Sequence, residues 1–426
     1  ENGSRIRMFD NNSDYNQKAT WYITIPEGST ARIDASSRCN INGSIAGEGT
    51  LTYYTPYVRA DMVAGGGTAF TGTINVITDS DGGDFRVTAN ATSFPAAAIN
   101  LGNNVRMGAY SSVGSSSTSA SQVVKIGSLS GTASSQVYAG TYLVGTDNRD
   151  AVFNGIMKSG GTFTKLGTGA WTLTGASETT STFTVNDGKL IVKNTTGSAT
   201  GTGNLSVNNS AALMGTGIIG GNVTMNYTSK LSPGISETSI GTLSFTKNLT
   251  LTQNATTVIK TGASANDMLN VTGTLYLNGT LEMKNTGAVW VDGASFRLFN
   301  AGVVSGSFAS IFPEKPAEGL VWDTSRINEG IIAVKIPSGV SRINTSHVKV
   351  YPQPVLNHCF VTLENDAADT MLVEVFNVNG ERQDISKSTT AGNSIKLDMS
   401  NLMPGLYVLK LTNADSAIYT CKLLKK

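Results

Sequence analysis

Histidine is almost missing from this chain of 426 residues: His347 and His358 are its only two. The first 346 residues therefore hold no Ser-His-Asp or Cys-His pairing and no histidine-ligated zinc. Cysteine is scarce too. Cys39, Cys359 and Cys421 show no CxxC spacing, which excludes a disulfide framework and a cysteine metal site. Charged residues make up 14% of the chain, against about a quarter in an average protein. Lys plus Arg number 31 and Asp plus Glu 30. That balance lacks the concentrated basic surface of a nucleic-acid binder, so no nucleic-acid partner is expected. No apolar run reaches the roughly 18 residues of a membrane-spanning helix. The chain opens at Glu1 without Met, as expected of a processed protein or a fragment.

What fills the chain instead is small and polar. Gly (47), Thr (52), Ser (44) and Asn (36) together supply 179 of the 426 residues. These are turn formers and poor helix formers, which excludes a helical bundle or coiled coil. The hydrophobic fraction of 39% still suffices for a core.

The apolar residues come in short alternating runs. Thr20-Trp21-Tyr22-Ile23-Thr24-Ile25 is one, closed by Pro26-Glu27-Gly28; Gly72-Thr73-Ile74-Asn75-Val76 is another. A Ser-rich stretch over 107–135 interrupts the series. From Gly160 to Met283 the unit becomes a loose repeat of short strand, Gly or Asn corner, short strand. Strands this short are not stable as an isolated sheet. Stacked as rungs, they bond above and below, send Leu, Val, Ile and Phe inward, and leave Thr, Asn and Ser in water. Gly and Asn at the corners tolerate positive φ. The expected fold is all-β: a right-handed parallel β-helix, followed by a small antiparallel β-sandwich. Trp290, Phe296, Leu298, Phe299, Phe308, Ile311, Phe312 and Trp322 read as a cap closing the solenoid.

The expected division is 1–119 for an N-terminal β-helical region and 120–335 for the repeat region with its cap. A linker follows over 336–345, then a separate domain over 346–426. That last domain has longer strands, denser charge and the Asn379-Gly380 turn dipeptide.

Three resemblances follow. The run Lys165-Leu166-Gly167-Thr168-Gly169-Ala170-Trp171-Thr172-Leu173-Thr174-Gly175, with Thr182–Val192 and Leu231-Ser232-Pro233-Gly234, resembles the autotransporter-associated β-strand repeat. It covers about residues 120–335 and implies a surface-exposed β-helix with no single activity. The last domain resembles the C-terminal sorting domain of type IX secretion substrates of Bacteroidetes. Its carriers are Val350-Tyr351-Pro352-Gln353-Pro354, the block Val373 to Arg382, the block Leu402 to Leu411, and Lys422 to Lys426. Gln353 stands where Asn is common, and Glu381 separates the usual Gly-Arg pair. The resemblance implies a sorting motif at Tyr351, Pro352, Pro354, Gly380, Arg382, Gly405, Tyr407 and Lys410. It also implies export to the outer face of the outer membrane and, as partners, the secretion machinery and its sortase. Cleavage near 336–348 and attachment of the body to surface glycolipid complete what it implies. Within residues 40–90, Asn42-Gly43-Ser44-Ile45-Ala46-Gly47-Glu48-Gly49-Thr50-Leu51 and Phe70-Thr71-Gly72-Thr73-Ile74-Asn75-Val76 also look like modules found downstream of pectate-lyase-type domains in Bacteroidetes exported proteins.

The remaining chemistry is thin. Asp79-Ser80-Asp81-Gly82-Gly83-Asp84 has the carboxylates to wrap calcium through Asp79, Asp81 and Asp84, but no Glu at position 12; a solvated turn is the simpler reading. Arg5, Arg7, Arg32, Arg38, Arg59, Arg86 and Arg106 suit either a groove for acidic polysaccharide or scattered surface charge. Tyr53, Tyr54 and Tyr57 suit sugar stacking or packing. Cys359 and Cys421 are a potential pair, with two buried free thiols the simpler case. Asp369-Thr370-Met371 and Asp415-Ser416-Ala417 match an O-glycosylation pattern. No catalytic residue and no cofactor other than calcium is assigned. The expected protein is an exported, non-enzymatic surface β-helix, adhesin-like or a spacer. The alternative is the non-catalytic C-terminal part of a pectate-lyase-like enzyme with its catalytic domain upstream of Glu1.

Overall fold

The computed structural model describes all residues except 1–2, 9–17, 37, 57–59, 63–66, 89–92, 113, 120, 338–347, 364–370, 391–393 and 413–417. The expected linker, Tyr57, Arg59 and most of both glycosylation patterns lie largely or wholly outside the described residues, as does the side chain of Cys39. The chain divides into two compact units, Glu1–Lys335 and Ile336–Lys426.

In the first unit, short strands stack in parallel rather than folding into hairpins. One ladder begins Ser4–Met8, Thr30–Ala35, Thr50–Tyr54, Thr73–Ile77, Phe94–Leu101 and Val123–Gly131. It continues through Ala151–Phe153, Ala170–Leu173, Lys189–Val192, Ala212–Gly215 and Lys230–Pro233. A second ladder flanks its early part, from Lys18–Ile25 to Ile156–Met157. A third opens at Gly140–Val144 and runs through Gly161–Lys165, Phe183–Val185, Leu205–Val207, Val223–Met225 and Leu249–Leu251. This is the parallel β-solenoid expected from the alternating runs.

Period-2 alternation sets which residues enter the column. In the third ladder Tyr142, Phe163, Phe183, Leu205, Val223 and Leu249 lie in register, and all are buried. Tyr142 stacks on Phe163 at 5.2 Å and Phe163 on Phe183 at 5.9 Å. Each such ring is worth about 1.5–3 kcal/mol of burial. Trp171 enters from the neighbouring ladder, 5.9 Å from Phe183, and its indole N–H donates to Leu129 O at 2.9 Å. The corner after Lys165 turns through Gly167 at φ +66°, where a Cβ would strike the Gly145 carbonyl oxygen. Only glycine fits there.

Among the described residues of this unit, three cationic side chains also lie inside. Arg86 bonds Asp61 and lies 3.5 Å over the Tyr110 ring. Lys260 pairs with Asp267 at 2.7 Å. Lys165 occupies an inward position between Val144 and Val185, and its ammonium is tied to the carbonyls of Leu166 (2.6 Å), Gly167 (2.8 Å) and Asp187 (3.4 Å). Over 284–335, a small antiparallel sheet of Ser295–Arg297, Ile331–Lys335 and Val321–Asp323 joins the core. Trp290 meets Trp322 edge-on at 5.0 Å, whereas Phe312 is 64% exposed.

The second unit consists of two antiparallel four-stranded sheets. Val348–Tyr351, His358–Leu363, Ser394–Asp398 and Ser386–Thr390 form one; Arg382–Gln383, Leu372–Asn377, Gly405–Thr412 and Ile418–Lys425 form the other. Val361, Ile395 and Leu397 from the first sheet and Val375, Leu409 and Leu423 from the second share one core.

Candidate functional site

The strand Ile418–Lys425 is hydrogen-bonded on both edges. One edge pairs residue by residue with Gly405–Thr412, from Gly405 opposite Lys425 to Thr412 opposite Ile418. Its other edge is held by the Pro-rich block. Gln353 donates to Lys422 O at 2.8 Å and accepts from Leu424 N–H at 3.4 Å. Val355 N–H then donates to Leu424 O at 2.7 Å, and Lys426 N–H to Val355 O at 2.9 Å. Pro352 and Pro354 have no N–H to give, so the side chain of Gln353 supplies the bonds between them.

The other residues of the expected motif fall into local roles. Tyr351 stacks on Phe360 at 5.9 Å and is half exposed. Gly380 takes φ +82° in the turn that the Asn377 side chain closes by accepting from Asn379 N–H and Glu381 N–H, both at 3.0 Å. Gly405 faces Lys425, and the buried Tyr407 donates its hydroxyl to Met403 O at 2.8 Å. Arg382 and Lys410 converge on one carboxylate, Glu374, at 3.7 and 3.2 Å. Glu374 was not among the expected site residues. Its signal was the alternation of Val373-Glu374-Val375, which puts it on the outer face with Lys410 directly across. On that face Leu406 and Leu424 pair and are both exposed.

Residues 349–426 match the family described as the Secretion system C-terminal sorting domain. This segment is a type IX sorting domain. It marks the chain as an exported, cell-surface protein. Over 257 residues, 58% of this chain, the sequence is also 25% identical to the Adhesin BmaC autotransporter of Brucella suis biovar 1 (strain 1330). The alignment takes in 7% of that relative's length.

Other expected sites disperse. Asp79 accepts from the Tyr54 hydroxyl at 2.7 Å, while Asp84 lies in the strand Gly83–Thr88, opposite Arg106. Among the described residues no three His, Cys, Asp or Glu side chains gather as a metal site, and the set Asp79, Asp81 and Asp84 is not brought together as one. Of the expected arginines, Arg59 lies outside the described residues, and at least three of the others are engaged within the fold. Arg5 and Arg32 converge on the buried Asp34: burial pushes its carboxyl up, but the hydrogen bonds from Arg32 and Arg5 outweigh that and hold it below the usual range. Arg86 is internal. Tyr53 is buried edge-on against Phe85 at 5.1 Å, so it packs and is not open to a sugar. Cys359 and Cys421 are free thiols in different sheets; burial, with the neighbouring Cys421 adding to it, raises Cys359 to about 11, and burial raises Cys421 to about 11.

Proposed function

We propose that residues 1–335 are an adhesin-like body, delivered to the cell surface by the sorting domain. Similarity over 257 residues to an adhesin, in a chain whose body is a parallel solenoid, carries this reading. A solenoid holds its rungs in fixed register, so it projects a long face of repeated corners. In this reading the secretion machinery engages the sorting domain, a sortase cuts between the units, and the body is joined to surface glycolipid. The pectate-lyase-like alternative gains no support from either comparison. The test is to express the full chain, and a chain ending at residue 345, in a bacterium with a working type IX system. Display and attachment to a coated surface are expected for the full chain, with the shortened chain held in the periplasm. Surface display without residues 346–426 overturns the sorting role. Full display with no gain in attachment to any surface tried overturns the adhesin role.

A further inference from the structure

One corner of the third ladder repeats with a common geometry. The turns that start at Asn208, Asn226 and Thr252 are each closed by a bond from the residue three further on: Ala211 N–H to Asn208 O, Ser229 N–H to Asn226 O, and Ala255 N–H to Thr252 O. Across rungs the amides stack. Asn208 donates to Asn186 Oδ1 at 2.9 Å, and Asn226 donates to Asn208 Oδ1 at 3.0 Å. These side chains line an open groove of about 660 Å³ with Gln253 and Asn254 at one end.

Tyr227 stands on this groove and has no structural reason to be tyrosine. It is 65% exposed, so it buries little apolar surface. Its φ is +51°, a region that bulky residues avoid. In the preceding rung the corresponding position is Asn209, also at φ +51°, and asparagine tolerates that backbone. The fold thus shows the less strained residue for this corner one rung away. A strained, exposed aromatic beside a preformed polar groove points to a ligand.

The lining defines the ligand's chemistry. It consists of five asparagines, a glutamine, a threonine and Tyr227, with no charged group. Amides offer paired donors and acceptors that match vicinal hydroxyls, and a tyrosine face packs on the apolar face of a pyranose ring. The stacked amides are held by one another, so binding costs them little rotamer freedom. Rungs advance about 4.8 Å each, close to the advance of one sugar along an extended glycan.

We propose that the groove of Asn186, Asn208, Asn226 and Tyr227 binds a neutral glycan lying along the solenoid axis. This deepens the adhesin reading and rests on it. The test uses the full chain and calorimetry with dextran, mannan, laminarin, xylan and galactan, and with polygalacturonate as the charged comparison. Saturable binding to at least one neutral glycan is expected, with Tyr227→Asn weakening it at least about tenfold. The same variant keeps or raises the melting temperature, because Asn suits the backbone, so lost binding is not lost folding. No saturable binding to any of the five neutral glycans, or equal binding by wild type and Tyr227→Asn, overturns the proposal. Attachment of displaying cells is scored separately. Attachment that survives Tyr227→Asn leaves the adhesin reading standing and removes the groove as its site.

Discussion

Lys260 and Asp267 face each other at 2.7 Å with neither side chain exposed. The pair does more than neutralise itself. Lys260 also donates to Ser232 Oγ at 2.9 Å and Pro233 O at 2.5 Å, and Asp267 accepts from Gly241 N–H at 2.9 Å. It therefore ties the Leu231-Ser232-Pro233-Gly234 corner to the rung above. Burial raises the Asp267 carboxyl against the pull of Lys260. Breaking a buried pair from one side strands a charge and costs about 3–5 kcal/mol. Asp267→Asn and Lys260→Met are each expected to lower stability by that order in urea unfolding. The double change Lys260→Met with Asp267→Leu is expected to recover part of the loss. A double variant as weak as the sum of the singles contradicts this account.

Lys165 gives a pH signature. Burial lowers its ammonium from 10.5 to about 8, against the opposing pull of Asp187, Asp147 and Asp150. Below pH 8 both folded and unfolded chains hold the proton, and the folded chain bears the full cost of burying it. Between pH 8 and 10.5 only the unfolded chain binds the proton, so stability rises with pH. The gain is of order 3 kcal/mol. Relative to Lys165→Met, the wild type is expected to be level below pH 8 and to gain across that window. Denaturant curves at stepped pH measure the difference, and parallel profiles refute the assignment.

The same lysine shows where the sequence was legible and where it was not. Gly161-Thr162-Phe163-Thr164-Lys165 alternates, and that alternation gave the strand and its inward Phe163. Followed strictly, it also places Lys165 inside, but charge in a strand is ordinarily read as solvent-facing. What rescues it is the set of corner carbonyls, including Asp187 O from the next rung. Arg86 escaped for a different reason: alternation with the inward Phe85 and Val87 places it outside, and its carboxylate partner, Asp61, lies 25 residues away. The Asn186–Asn208–Asn226 stack joins positions 22 and 18 apart, a spacing set by irregular corners rather than by any fixed period. In the sorting domain the motif blocks were readable as sequence, whereas Glu374 as the meeting point of Arg382 and Lys410 required the strand register.

The two thiols of the sorting domain are expected to resist alkylation. Cys359 is buried and its Sγ lies 3.8 Å from Met399 Sδ. With both thiols raised from 9.0 to about 11, the reactive thiolate is roughly a hundredfold scarcer than for an ordinary cysteine. Iodoacetamide at neutral pH is expected to leave the peptides of Cys359 and Cys421 unmodified until denaturant is added. Rapid labelling of either in the native chain, read by peptide mass, contradicts the burial of Cys359 or the partial burial of Cys421.

Gln353 offers the sharpest test of how the sorting domain holds its edge. Its side chain bridges Lys422 O and Leu424 N–H, and a net hydrogen bond is worth about 0.5–1.5 kcal/mol. In Gln353→Ala the Leu424 amide loses its acceptor, and its exchange with solvent is expected to quicken about tenfold. Leu409, inside the same sheet, is expected to keep its protection, because its strand is paired on both sides with Leu372–Asn377 and Ile418–Lys425. Lys426 N–H, held separately by Val355 O, is expected to change less than Leu424. If the machinery reads an ordered edge, the variant is displayed less efficiently at unchanged expression. Loss of protection across the whole sheet points instead to a role in folding, and unchanged exchange at Leu424 removes the clamp.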